Sequence, residues 1–167
     1  MKESDFKHEL AAAFRIIYPR AMVLRFGGSM YQVRGLPDML IQMPRVKTGE
    51  YKHPGDPVMR ETYEFPYSFW IEAKVVPATL SPNQKVLCGQ LVRAGAVVLV
   101  ASVFPHPEPV HHPKEIQATF TVVGPEGVND RGGLILDRIG KNASEPRWDV
   151  SKLVDLAKTT TALQVHS

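Results

Sequence analysis

Three charged residues frame the chemistry open to this chain. Glu72 and Lys74 stand two positions apart in the run Ser68-Phe69-Trp70-Ile71-Glu72-Ala73-Lys74-Val75, and Asp38 heads a second apolar run, Met39-Leu40-Ile41-Gln42-Met43. On a strand, alternation puts Glu72 and Lys74 on one face and Ala73 on the other, so a carboxylate and an ammonium project side by side where a sheet is ordinarily apolar. Burying them costs free energy unless they are paired or bind something. An isolated Glu-x-Lys is more often a solvated surface pair. The Pro37-Asp38 step shifts that balance, because it can bring a second carboxylate to the same end of the sheet. Two carboxylates and a lysine suit a hard cation such as Mg²⁺, which keeps several waters and leaves room for phosphate oxygens. The lysine would then orient or deprotonate the attacking water.

A third acid is expected from the first helix. Phe6, Leu10, Ala13, Phe14 and Ile17 recur at spacings of three and four, which predicts a helix over about residues 4–18, with Ser4 placed to cap it and Pro19 to stop it. At about 100° per residue Glu3 falls within the apolar stripe, whereas Glu9 lies roughly 80° from its centre. Glu3 therefore faces the sheet if the helix reaches it. The alternative is an acid fraying in solvent that only complements the helix dipole, and Glu9 is the reserve.

The remaining patterns supply a scaffold for these groups. Residues 21–26, ended by Gly27-Gly28-Ser29, read as a first strand, 39–43 as a second and 68–75 as a third. The polar stretch 44–66, rich in Gly, Pro and charge, is too long for a hairpin turn and reads as an insertion. Ser81-Pro82-Asn83-Gln84 combines a capping Ser, Pro at the first helical position and Gln three residues after the cap, so a helix should run from there to near Gly95. A strand over 96–101 follows at once, parallel to the third. The order αβββαβ predicts an α/β fold, a central mixed sheet flanked by helices. Four prolines between 105 and 113 predict an extended connector, after which 116–123 and 133–139 read as a β-hairpin and 150–162 as a terminal helix. This divides the chain into a core, 1–104, and an extension, 105–167, packed on the same domain or at a dimer interface.

Composition bounds the rest. A chain of 167 residues with 44% hydrophobic and 22% charged content supports one ordinary core. It has no run of about 18 apolar residues to span a membrane, and its start is too polar for a secretory signal, so a soluble cytoplasmic protein is expected. The single cysteine, Cys88, excludes an internal disulfide and zinc sites built on paired cysteines, and no partner is placed to activate it as a nucleophile. Residues 1–104 hold 13 Lys and Arg against 9 Asp and Glu, while 105–167 hold 7 against 8. Such an excess suits a polyanion but also describes an ordinary surface. His106, His111 and His112 lack the helical spacing of common metal motifs and read as a solvated loop. Tyr67, Phe69 and Trp70 read as strand core before base-stacking platforms.

Five elements in order resemble the PD-(D/E)XK nuclease superfamily, and within it the small VRR-NUC domains of phage and DNA-repair proteins. They are Glu3 in the first helix, Gly35-Leu36-Pro37-Asp38, Phe69-Trp70-Ile71-Glu72-Ala73-Lys74, Leu80-Ser81-Pro82-Asn83-Gln84, and Ala94-Gly95-Ala96 before an apolar strand, together covering about residues 3–103. The resemblance implies a restriction-endonuclease-like core in which Asp38, Glu72 and the Ala73 carbonyl bind a divalent metal and Lys74 assists the water. It places Gln84 at the site edge. Related archaeal Holliday junction resolvases space their helix glutamate in a way that would select Glu9. Lys7, where such domains often carry Gln, the 44–66 insertion and everything after about 104 depart from the pattern.

The expected function is therefore a Mg²⁺-dependent DNA endonuclease, with Mn²⁺ able to substitute, taking part in DNA repair or recombination. Asp38 and Glu72 would hold the metal, Lys74 would serve the nucleophile, and Glu3 would hold a second metal or a water. Arg25, Ser29, Arg34, Lys85 and Arg93 would contact DNA. Branched DNA such as a Holliday junction is the first substrate expected, and a homodimer would supply the two sites that two strands need. Alternatives are sequence-specific restriction-type cleavage, a DNA-binding accessory with an inactive nuclease fold, and a structural α/β protein with a fortuitous motif.

Overall fold

The apolar stripe of the N-terminal segment forms the first helix, α1 (Glu3–Ile17), in a computed structural model that describes residues 1–27, 33–44, 67–104, 116–127, 131–142 and 144–165. Phe6, Leu10, Ala13 and Phe14 are buried, as the spacing requires. The helix starts one residue before the expected cap. Lys2 is the N-cap, with no side-chain capping bond, and Ser4 lies inside the helix; Glu3 and Asp5 instead place acid in the first turn, where it complements the dipole.

Strands β1 (Met22–Arg25), β2 (Met39–Gln42) and β3 (Ser68–Val75) follow, then α2 (Pro82–Arg93) and β4 (Val97–Val103). Beyond them come β5 (Gln117–Val122), β6 (Arg131–Asp137) and α3 (Ser151–Val165). All six strands form one mixed sheet in the order β1-β2-β3-β4-β5-β6. Only β3 and β4, joined through α2, run parallel, with Glu72 opposite Val100 and Lys74 opposite Ser102; every other neighbouring pair is antiparallel. A two-strand unit crossing over through a helix dictates that parallel pair. Ser81 caps α2 and Gln84 completes the reciprocal box, as the Ser-Pro-Asn-Gln signal predicts.

Helices cover both faces. The cluster uniting α1 and α3 with one face of the sheet contains Phe69, Ile71, Ala101, Phe120, Trp148 and Leu153, while Cys88 of α2 packs with Leu80, Val98, Val100 and Val123 on the other. The fully buried Trp148 meets Phe6 at 5.3 Å and Phe120 at 6.4 Å between ring centroids. Each such large side chain contributes about 1.5–3 kcal/mol by leaving water. The segment after the proline-rich stretch thus returns to the sheet: β5 pairs with β4 in register from Leu99↔Val122 to Val103↔Ala118, and residues 148–157 share the α1-side core. The proline-rich connector itself, the three histidines within it and the insertion from 45 to 66 lie outside the described residues. No helix among the described residues is long and apolar enough to cross a membrane.

Candidate active site

β2 pairs with β3 only as far as Met39↔Ile71. Continued one step further, the same register sets Asp38 opposite Glu72, and one more sets Pro37 opposite Ala73. Alternating residues of an antiparallel strand turn their backbone groups toward opposite neighbours, so Ala73 turns both N–H and C=O toward the place where β2 has ended. Pro37 has no N–H to offer that carbonyl. Asp38 satisfies the other group: its Oδ2 accepts from Ala73 N–H at 2.8 Å. In return Glu72 Oε2 accepts from Asp38 N–H at 3.2 Å, and the Asp38 carbonyl accepts from Phe26 N–H at 2.7 Å. Asp38 is thereby fixed between β1 and β3 by its own backbone and carboxylate.

Glu72 is 1% exposed, the one polar or charged residue in the buried set among the described residues. Its Oε1 accepts from Lys74 Nζ at 2.8 Å and from Gln84 Nε2 at 2.5 Å. Gln84 does two things at once, because its Oε1 accepts from Ser81 N–H at 2.9 Å to close the capping box while its amide nitrogen reaches β3. The cap of α2 is in this way wired to the buried carboxylate. Burial and, second, the charge of Asp38 push the Glu72 carboxyl up to about 7, against the opposing pull of Lys74 and Lys7.

Asp38 Oδ1 meets Lys7 Nζ at 2.7 Å, and Lys7 Nζ meets Glu3 Oε1 at 2.7 Å. Burial alone would lower the Lys7 ammonium, but hydrogen bonds and charges from Asp38 and Glu3 outweigh it and leave Lys7 above its ordinary value. Lys7 is the residue that sequence reasoning passed over as a mere departure from a pattern. The available signal was the Glu3–Lys7 spacing of four, which sets both side chains on one face of α1. A cleft of about 430 Å³, lined by Glu3, Lys7, Arg25, Phe26 and Asp38, reaches the cluster from this side. Phe26 stacks on Trp70 there, with centroids 5.7 Å apart.

Glu9 lies elsewhere. It receives both a salt bridge from Arg138 and a 3.1 Å hydrogen bond from Trp148 Nε1, tying α1 to the C-terminal part of the sheet. Of the two helix acids, Glu3 alone joins the Asp38 cluster. Among the cations expected to contact DNA, Arg25 lines the cleft, and Arg34 and Lys85 are exposed. Arg93 is exposed as well; it ends α2, nine residues and so about 13 Å along the helix from Gln84, and donates to the Pro125 carbonyl. Ser29 lies outside the described residues. Cys88 is buried, and its thiol is pushed up to about 11 by burial and by the charge of Glu72, which suits packing and opposes nucleophilic use.

The donors fit a hard cation in kind: two carboxylates, and a backbone carbonyl with no strand donor from β2. No group of three or more His, Cys, Asp or Glu stands within reach of one ion among the described residues. A second ion bridging Glu3 and Asp38 meets an obstacle, since the Lys7 ammonium contacts both. Compared with known proteins, the chain matches no family model, no curated protein and no solved structure.

Proposed function

We propose that the chain is a Mg²⁺-dependent DNA endonuclease whose residues 3–103 form a restriction-endonuclease-like core, in line with the resemblance of its motifs to the PD-(D/E)XK superfamily. The observation that carries this reading is the pairing of Asp38 with the Glu72-Ala73 backbone and side chain at the point where β2 stops, with Lys74 on the same carboxylate. A purely structural sheet gains little from a nearly fully buried glutamate raised to about 7 beside a second carboxylate. A carboxyl of raised proton affinity beside a second carboxylate and a lysine is what a hydrolytic centre can use.

Asp38, Glu72 and the Ala73 carbonyl would hold the ion. What a bound Mg²⁺ supplies is charge against the phosphoryl oxygens and a more acidic water. Lys74, on the same face of β3 as Glu72, holds a donor where an attacking water can be oriented. Gln84 keeps the Glu72 carboxylate turned toward Asp38 by holding Oε1 from the α2 side. Arg25 and Lys7 line the cleft with positive charge that favours a phosphate backbone. Branched DNA is the first substrate to try, with a homodimer providing the second cut.

A second reading rests on a specific contact: Lys7 occupies Asp38 Oδ1, and protein donors already engage all four carboxylate oxygens of Asp38 and Glu72. A DNA-binding protein with a silent site would also have this arrangement. Cleavage of labelled single-strand, duplex, flap and four-way junction DNA with Mg²⁺, Mn²⁺ or EDTA separates the two. Cutting with either metal that EDTA abolishes supports the nuclease. Junction binding in gel shift, with no cutting by folded protein in either metal, favours the silent site.

A further inference from the structure

We propose that Lys7 is a built-in second cation, an ammonium fixed where a second divalent ion would otherwise be held, so that the site takes one metal ion and not two. The inference rests on the nuclease reading and specifies its metal requirement. Glu3 Oε1 and Asp38 Oδ1 each lie 2.7 Å from Lys7 Nζ, so the two oxygens are no more than about 5.4 Å apart. A Mg²⁺ ion bridging two oxygens at about 2.1 Å each spans at most about 4.2 Å. Lys7 Nζ therefore stands between the two oxygens that a second ion would have to bridge, and at most a small rotamer change of Glu3 would close them around a metal once the ammonium is gone. Lys7 projects from the same helix face as Glu3, one turn on, so the cation is carried by the scaffold itself.

Charge balance favours the same conclusion. Two carboxylates facing one another need about one positive charge, and Lys7 supplies it. An ammonium has three donors, of which Glu3 and Asp38 take two; the third has no partner among the described residues and borders the cleft that Arg25 also lines. A phosphate oxygen entering that cleft beside Asp38 meets a fixed donor. Glu3 then acts as a positioning residue that holds Lys7, and not as a metal ligand.

The test is Mn²⁺ titration of the full chain by isothermal calorimetry, without DNA, for the native protein, Glu3→Gln, Lys7→Met and the double variant. The expected stoichiometries are one Mn²⁺ per chain for the native protein and Glu3→Gln, two for Lys7→Met, and one again for the double variant. Two ions in the native protein, or one in a folded Lys7→Met, overturns the inference while leaving the nuclease reading in place. Absence of binding in the native protein overturns both. If Lys7→Met fails to fold by circular dichroism, the first two proteins decide: one ion in each supports the inference, and an ion lost in Glu3→Gln refutes it.

Discussion

Replacing Glu72 by Gln should make the metal-free protein less sensitive to pH. The Glu72 carboxyl is raised from 4.5 to about 7 chiefly by burial and then by Asp38, so between those values the folded chain binds a proton that the unfolded chain does not. A raised carboxyl contributes stability that is fully present below the unfolded value and is lost as pH rises through the folded one. Each tenfold difference in proton affinity between the two states corresponds to about 1.4 kcal/mol, so the native protein should lose about 2–3 kcal/mol from this group between pH 5 and pH 8. The Glu72→Gln protein would carry no such dependence, and subtracting the two profiles removes the histidines and the other carboxylates. The assay is urea unfolding in EDTA across that range, followed by tryptophan fluorescence, with Trp148 fully buried as the reporter. Profiles for native protein and Glu72→Gln that run parallel within about 0.5 kcal/mol would refute the claim that a buried, protonatable carboxylate sits at this position. Added Mg²⁺ should oppose the loss at high pH in the native protein, because an ion that binds only the folded state stabilises it by mass action.

Other substitutions separate the site from its supports. Gln84→Leu removes both half of the α2 capping box and a donor to Glu72, and should cost about 1–3 kcal/mol in chemical denaturation; an unchanged midpoint would contradict the double role. Gly35→Ala should destabilise by at least about 1 kcal/mol, because Gly35 has φ +88° and an added Cβ would stand 2.5 Å from the Asn83 carbonyl oxygen, prising the Asp38 loop from α2. Glu9→Gln weakens the Arg138 pair and should lower stability by about 1–2 kcal/mol while leaving DNA cleavage per folded molecule unchanged. A loss of cleavage out of proportion to folding would return Glu9 to the site.

Where pattern and physics point the same way, the sequence is easy to read. The α1 stripe, the capping box at Ser81 and the apolar strands on either side of α2 each carry a local signal that the packed structure agrees with, and strand ends shift by only a residue or two. The missing cap at Ser4 shows the limit: a capping residue is only a preference, and acids in the first turn serve the same helix end. Asp38, Glu72 and Lys74 stand out because charge in an apolar strand demands a reason. Lys7 does not, since a lysine on an amphipathic helix needs none; its meaning comes from Asp38, which is 31 positions away in sequence and adjacent only after β2 packs beside α1 and β3. Choosing between Glu3 and Glu9 likewise needed Arg138 and Trp148, from a part of the chain whose return to the sheet no local pattern announces.

That Asp38, Glu72 and Lys74 form a hydrolytic centre is tested most directly by the cleavage rate of the preferred DNA substrate in Mg²⁺ for native protein against Lys74→Ala, with Mn²⁺ binding measured alongside. Removing a group that serves the nucleophile should slow cleavage by about 10²–10⁴-fold while metal binding persists. Cleavage by Lys74→Ala at the native rate, or no metal-dependent cleavage of any DNA form by the folded native protein, would contradict it.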